Sequence, residues 1–125
     1  MEIQAELEKE IGTEEPKQKE ALQPKIVKIV DVNFRDTKKG KIVNCECKHP
    51  DKEEPINISS ASYLRDKQVV TGGLWYSLDS KELIQKGSAL ATFMTNAKAF
   101  RLKELIGKEV NTELDEEGWL CFKSY

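Results

Sequence analysis

From Lys25 onward, apolar residues follow first a strand period, then a helical one, then a strand period again. Lys25 to Phe34 carries Ile26, Val27, Ile29, Val30, Val32 and Phe34. Its β-branched enrichment predicts a central strand, and its nearly unbroken apolar run predicts cover on both faces for part of its length. Asp36-Thr37-Lys38-Lys39-Gly40 supplies a turn. Lys41 to Lys48 then alternates, with Val43, Cys45 and Cys47 on one side and Asn44, Glu46 and Lys48 on the other, so the two strands should pair as a hairpin. A charged loop between Pro50 and Pro55 follows, and Ile56 with Ile58 opens a third strand reaching towards Tyr63.

Residues 64–78 read as a loop and a short strand around Gly72-Gly73 and Leu74-Trp75-Tyr76. Asp79 with Glu82 three residues on has the spacing of a capping box, predicting a short helical turn that ends at Gly87. Ser88 suits the cap of the next helix, whose Leu90, Phe93, Met94 and Ala97 fall at i, i+3, i+4 and i+7. Phe100, Leu102, Leu105 and Ile106 mark a further short helix that Gly107 stops, Lys103 suiting its negative end. Two alternating runs, Lys108 to Leu114 and Gly118 to Tyr125, then form a hairpin about Asp115-Glu116-Glu117-Gly118.

The first 24 residues follow a different pattern. Ile3, Leu7 and Ile11 recur at a spacing of four before Gly12, and a polar stretch with Pro16 runs on to Pro24. This predicts a charged tail or short helix plus linker at 1–24, ahead of one domain at 25–125. Charge divides the same way: the tail holds seven Glu and three Lys, net −4, while the remainder is +2. A mildly basic domain permits an anionic partner.

The order of three strands, a helical insertion and two strands resembles the oligonucleotide/oligosaccharide-binding (OB) fold, a five-stranded Greek-key barrel with its helix between strands three and four. Closer to the residues, Gly87-Ser88-Ala89-Leu90-Ala91, Leu105-Ile106-Gly107-Lys108-Glu109-Val110 and Gly118-Trp119-Leu120 look like small archaeal and phage-type proteins of OB character. In those proteins a G-K-x-V strand follows the helix. The expected fold class is therefore mainly β with a helical insertion, an OB-like barrel; a split α+β sheet is the other architecture that the pattern serves.

The resemblance implies a binding surface on strands two and three with the loops after strands one and four. Near it stand Phe34, Arg35, Lys38, Lys39 and Lys41 in the first hairpin, and Tyr63 and Arg65 by the third strand. Trp75 and Tyr76 form the other aromatic cluster. Aromatic faces stack bases and cations neutralise phosphates, so interleaving the two suits a single strand of nucleic acid. Trp119 reads as a cross-strand packing residue on the face of Cys121 and Tyr125.

Cys45, Cys47 and His49 form a C-x-C-x-H string, with Cys121 as a conceivable fourth metal ligand. An extended strand spaces alternate side chains about 6.6 Å apart, too far for easy chelation, so buried thiols are the preferred reading and no metal is expected. Glu53-Glu54 and Asp115-Glu116-Glu117 fall in predicted turns, and no P-loop, G-x-G-x-x-G or H-E-x-x-H motif occurs. The expectation is a non-enzymatic module without cofactor that binds single-stranded nucleic acid; the alternative is a protein-interaction or structural subunit dimerising through the N-terminal helix. An odd cysteine count predicts reduced thiols, and the absence of a long apolar run or a basic-then-apolar leader predicts a soluble cytoplasmic chain without membrane contact.

Overall fold

A computed structural model describes residues 22–125 of the chain. The expected tail and stripe at Ile3, Leu7 and Ile11 lie outside the described residues. What is described is mainly β with a helical insertion. Eight strands, β1 (Val27–Thr37), β2 (Gly40–Lys48), β3 (Ile56–Ile58), β4 (Ser60–Arg65), β5 (Gln68–Gly73), β6 (Glu109–Val110), β7 (Thr112–Leu114) and β8 (Leu120–Ser124), form two four-stranded sheets in the orders β3-β2-β1-β6 and β5-β4-β8-β7. Helix α1 (Ala89–Asn96) and a 3₁₀ turn (Leu102–Leu105) lie between β5 and β6.

Five strands were expected and the difference has local causes. The third is divided at Ser59, its first half pairing with β2 and its second with β8; the fourth is divided at Asn111 between β1 and β8. The remaining strand, β5, comes from the stretch read as a loop. It forms a hairpin with β4 through Asp66 and Lys67, which both take positive φ, 51° and 67°. Two such residues define the type I′ turn that matches strand twist. Asp-Lys lacks the Asn-Gly or Asp-Gly signature of that turn, so the sequence hides it.

β1 corrects a second expectation. Its register on β2 shifts between Ile29 and Asp31, a bulge that reverses which side successive residues face. Val27 and Ile29 before it are fully buried, Val30 at the shift is exposed, and Val32 and Phe34 beyond it share a face with Cys45 and Val43. The unbroken apolar run therefore reflects a change of phase, and the strand has one buried face.

The helical insertion follows its sequence closely at α1. The Ser88 hydroxyl accepts the Ala91 amide at 3.1 Å, and Leu90, Phe93 and Met94 are buried. Phe93 stacks on Phe122 of β8, centroids 4.3 Å apart and planes at 12°, fastening the helix to the second sheet. Asp79, by contrast, caps no helix. Its carboxylate accepts the amides of Lys81 and Leu83, and an antiparallel bridge joins Leu78 to Ile84. The side chain closes a loop on itself, the competing use of a short acid ahead of a helix. The final stretch keeps its predicted order but shortens the expected helix to a 3₁₀ turn that leaves Phe100 and Ile106 outside it; Gly107 then takes φ 92°, and a hairpin follows in which Asp115 accepts the Glu117 and Trp119 amides and Gly118 takes φ 85°.

Candidate nucleic-acid interface

Two segments distant in sequence meet at the free end of the first hairpin. Leu74 to Tyr76 lies along β2: the Val43 amide donates to the Leu74 carbonyl at 2.8 Å, and the Tyr76 amide donates to the Lys41 carbonyl at 2.9 Å. Ile42 and Trp75 face each other across this short ladder. Alternation then puts Tyr76 on the same side as Lys41 and Phe34, and Trp75 on the opposite side with Ile42 and Arg35. The sequence grouped Trp75 with Tyr76; the ladder separates them.

On the first side, Phe34 is 48% exposed and meets Tyr76 edge to face. The Lys41 ammonium stands 6.0 Å from the Phe34 ring centre. Lys38 and Lys39 form the exposed turn. With Lys41, and with Arg35 on the opposite side of the strand, they bring four cations against the single acid Asp36 between residues 35 and 41. A shallow apolar groove continues from Tyr76, lined by Leu83, Met94, Phe100 and Leu102 with Arg101 at its side, and holds about 490 Å³. Phe100 is 85% exposed there. Sequence reasoning gave Phe100 to the buried stripe of a helix, and a single 3₁₀ turn starting at Leu102 leaves it outside.

The opposite side differs. The indole of Trp75 is half-buried, folded over Gly73, where an added Cβ would lie 2.9 Å from Nε1 and 3.2 Å from the Ile42 Cδ1. Beyond it an amide row crosses three strands: Asn44 Nδ2 donates to Asn33 Oδ1 at 3.3 Å and to Asn57 Oδ1 at 3.1 Å. Asn44 itself is 9% exposed and its Oδ1 has no hydrogen-bond partner. Nothing in the spacing of three asparagines far apart in sequence announces this row.

Tyr63 leaves the expected surface. It is 7% exposed, its ring borders Gly72 close to Ala89 of α1, and its hydroxyl accepts Arg65 Nη2 at 3.2 Å. The Arg65 guanidinium also lies 5.6 Å from the Tyr63 ring centre. A phenol enclosed in this way has no face to offer a base, and Arg65 is engaged in holding it.

The C-x-C-x-H string is interior. Cys45, Cys47 and His49 are fully buried, and no group of three metal-ligating side chains converges among the described residues. His49 is occupied at both nitrogens: Nδ1 accepts the Asp51 amide at 3.0 Å and Nε2 meets the Gln23 carbonyl at 2.8 Å, so Nε2 carries the proton. Burial pushes the Cys45 thiol up to about 12, and burial beside Cys45 pushes Cys47 up further. Cys121 is also raised by burial, partly offset by a hydrogen bond with the Ser62 hydroxyl. Thiols kept neutral in this way are poor nucleophiles and poor metal ligands.

Trp119 lies just ahead of β8 and is 45% exposed, while Cys121 is fully buried. No helix among the described residues is long and apolar enough to cross a membrane. No family model matches the chain, and no curated protein or solved structure matches it either.

Proposed function

We propose that this chain is a non-enzymatic OB-type module that binds single-stranded nucleic acid at the end of its first hairpin. The observation that carries the reading is the half-exposed Phe34 ring, braced by Tyr76 and overhung by Lys41, within a hairpin end of four cations and one acid. One base stacks on Phe34 while Lys41, Lys38 or Lys39 meet the flanking phosphates, and Arg35, on the other side of the strand, adds to the positive field of the hairpin end. The groove from Tyr76 to the exposed Phe100 gives a neighbouring base an apolar seat of ample volume.

The strand pairing supports the OB part of the reading. Counting β3 with β4 and β6 with β7 as two bent strands, β1 pairs with the second and fourth strands, the second with the third, and the fifth with the third and fourth. That cyclic order, with a helix between third and fourth strands, is what supports an OB-type reading, in which β5 is an added strand on the edge of the second sheet.

The test is an anisotropy titration of labelled single-stranded DNA and RNA at about 50 and 200 mM salt, because phosphate-driven affinity falls as salt rises. Saturable binding that weakens with salt, and weakens again in Lys38→Glu/Lys39→Glu/Lys41→Glu, is the expected result. Absence of binding at the lower salt overturns the reading and turns attention to a protein partner.

A further inference from the structure

The β4–β5 hairpin ends the second sheet in an open strand. β5 has six residues, whereas the other terminal strands β3, β6 and β7 have two or three. Natural edge strands are commonly shielded by charge, proline, a bulge or a covering segment. β5 reads Gln-Val-Val-Thr-Gly-Gly, without charge or proline, in a chain of which 34% is charged, and its register on β4 runs without a shift. No backbone hydrogen bond beyond its own hairpin reaches β5 among the described residues. Beside it, Leu64 and Val69 sit directly opposite each other, 53% and 51% exposed.

The two-residue turn sets which groups point outward. Arg65 and Gln68 close the hairpin, so Gln68, Val70 and Gly72 direct their amides and carbonyls at β4, and Val69, Thr71 and Gly73 direct theirs away. The outward set is symmetric about Thr71. An antiparallel copy of the same strand, with Thr71 opposite Thr71 and Val69 opposite Gly73, satisfies every outward group of both strands. The strand itself adds no charge to the seam, although the Asp115-Glu116-Glu117 turn of each copy borders the same cavity as Val69 to Thr71, and a net charge of −2 on the whole chain opposes association little.

We infer that β5 is a self-association edge, joining two copies of this chain antiparallel about Thr71 into one continuous sheet of eight strands. A second copy is the occupant because the strand offers no charge by which a different partner would be selected, and its open groups complement themselves. The seam is short, so association is weak and reversible, in the class of interfaces below about 1,200 Å². It is independent of the nucleic-acid reading, since Phe34 and Lys41 belong to the other sheet.

Sedimentation of the full chain from about 10 µM to about 1 mM, a range matched to so small an interface, should show a concentration-dependent dimer. Val69→Lys places a charge on an already exposed side chain, and Thr71→Pro removes an outward amide while sparing the hairpin's backbone hydrogen bonds, giving up only the Thr71 hydroxyl's contact with Ser62 Oγ; each should weaken the dimer at least about tenfold with the fold intact by circular dichroism. Thr71→Cys should cross-link with oxidised glutathione, because paired residues in this register have Cα atoms about 5.5 Å apart. Val69→Cys should not, lying opposite Gly73 of the second copy. The native thiols are buried and leave such a reaction uncluttered. A monomer throughout the concentration range, a dimer indifferent to both Val69→Lys and Thr71→Pro, or equal cross-linking at positions 69 and 71 overturns the proposal.

Discussion

Phe34 and Tyr76 meet edge to face with ring centres 4.9 Å apart and planes at 67°, although 41 residues separate them. The contact fixes the angle of a ring that is otherwise half in solvent. A braced aromatic loses little freedom when a base stacks on it, which is what a stacking platform requires.

Replacing Phe34 with Ala should therefore weaken binding of a single-stranded oligonucleotide by roughly 1 to 3 kcal/mol, with thermal stability little changed because the ring is half-exposed. Lys41→Gln should act differently. Its signature is a salt dependence shallower by about 0.7 in the slope of log affinity against log salt, one phosphate contact fewer. Anisotropy titrations at several salt concentrations separate the two effects.

Gly73→Ala should destabilise the chain by about 1 to 3 kcal/mol, measured by urea unfolding, the usual cost of overpacking. The new methyl would meet the Trp75 indole at 2.9 Å and the Ile42 Cδ1 at 3.2 Å, so the indole, borne by the middle residue of the ladder from Leu74 to Tyr76, must shift. Since that ladder also positions Tyr76, oligonucleotide affinity should fall in the same variant.

His49→Ala should cost about 2 to 4 kcal/mol, since it empties a fully buried site and strands the Asp51 amide and the Gln23 carbonyl. Hydrogen exchange at Asp51 should accelerate ahead of that in β2. Equal protection of Asp51 in the variant and the parent would show that the imidazole does not hold the loop.

Alkaline pH should destabilise the fold through its thiols. Burial raises the Cys45 thiol from an ordinary 9.0 to about 12, so its contribution is intact below pH 9, where both folded and unfolded chains carry a neutral thiol. Above pH 9 the unfolded chain loses its proton first, and stability falls by up to about 1.4 kcal/mol per pH unit for each such group until the folded thiol also ionises. The stability gap between Cys45→Ala and the parent should accordingly narrow by about 1 to 2 kcal/mol from pH 8 to pH 10.5 in denaturant titrations.

Much of the architecture was legible before the structure. Helix α1 was readable because its cap and its 3.6-residue stripe are local, and the two hairpins at Gly40 and Gly118 because turn residues and alternation lie within a dozen positions of one another. The β4–β5 hairpin was not, since its turn uses Asp66 and Lys67 in a backbone region that glycine or asparagine would have announced. The Asp79 loop was misread because the same carboxylate spacing serves a helix cap and a self-closing loop, and only the bridge between Leu78 and Ile84 selects between them.

Site residues divide along the same line. Local sequence sufficed to place Phe34 and the cations of its turn together at one hairpin end, and to make Cys45 and Cys47 interior. It could not place Tyr76 against Phe34, enclose Tyr63 beneath α1, turn Trp75 to the other face or align Asn33, Asn44 and Asn57. Each of these depends on which strands become neighbours, and on the phase shift at the β1 bulge. Long-range pairing is decided by the fit of whole sheets around one core, so its consequences for a single side chain appear only once the chain has closed on itself.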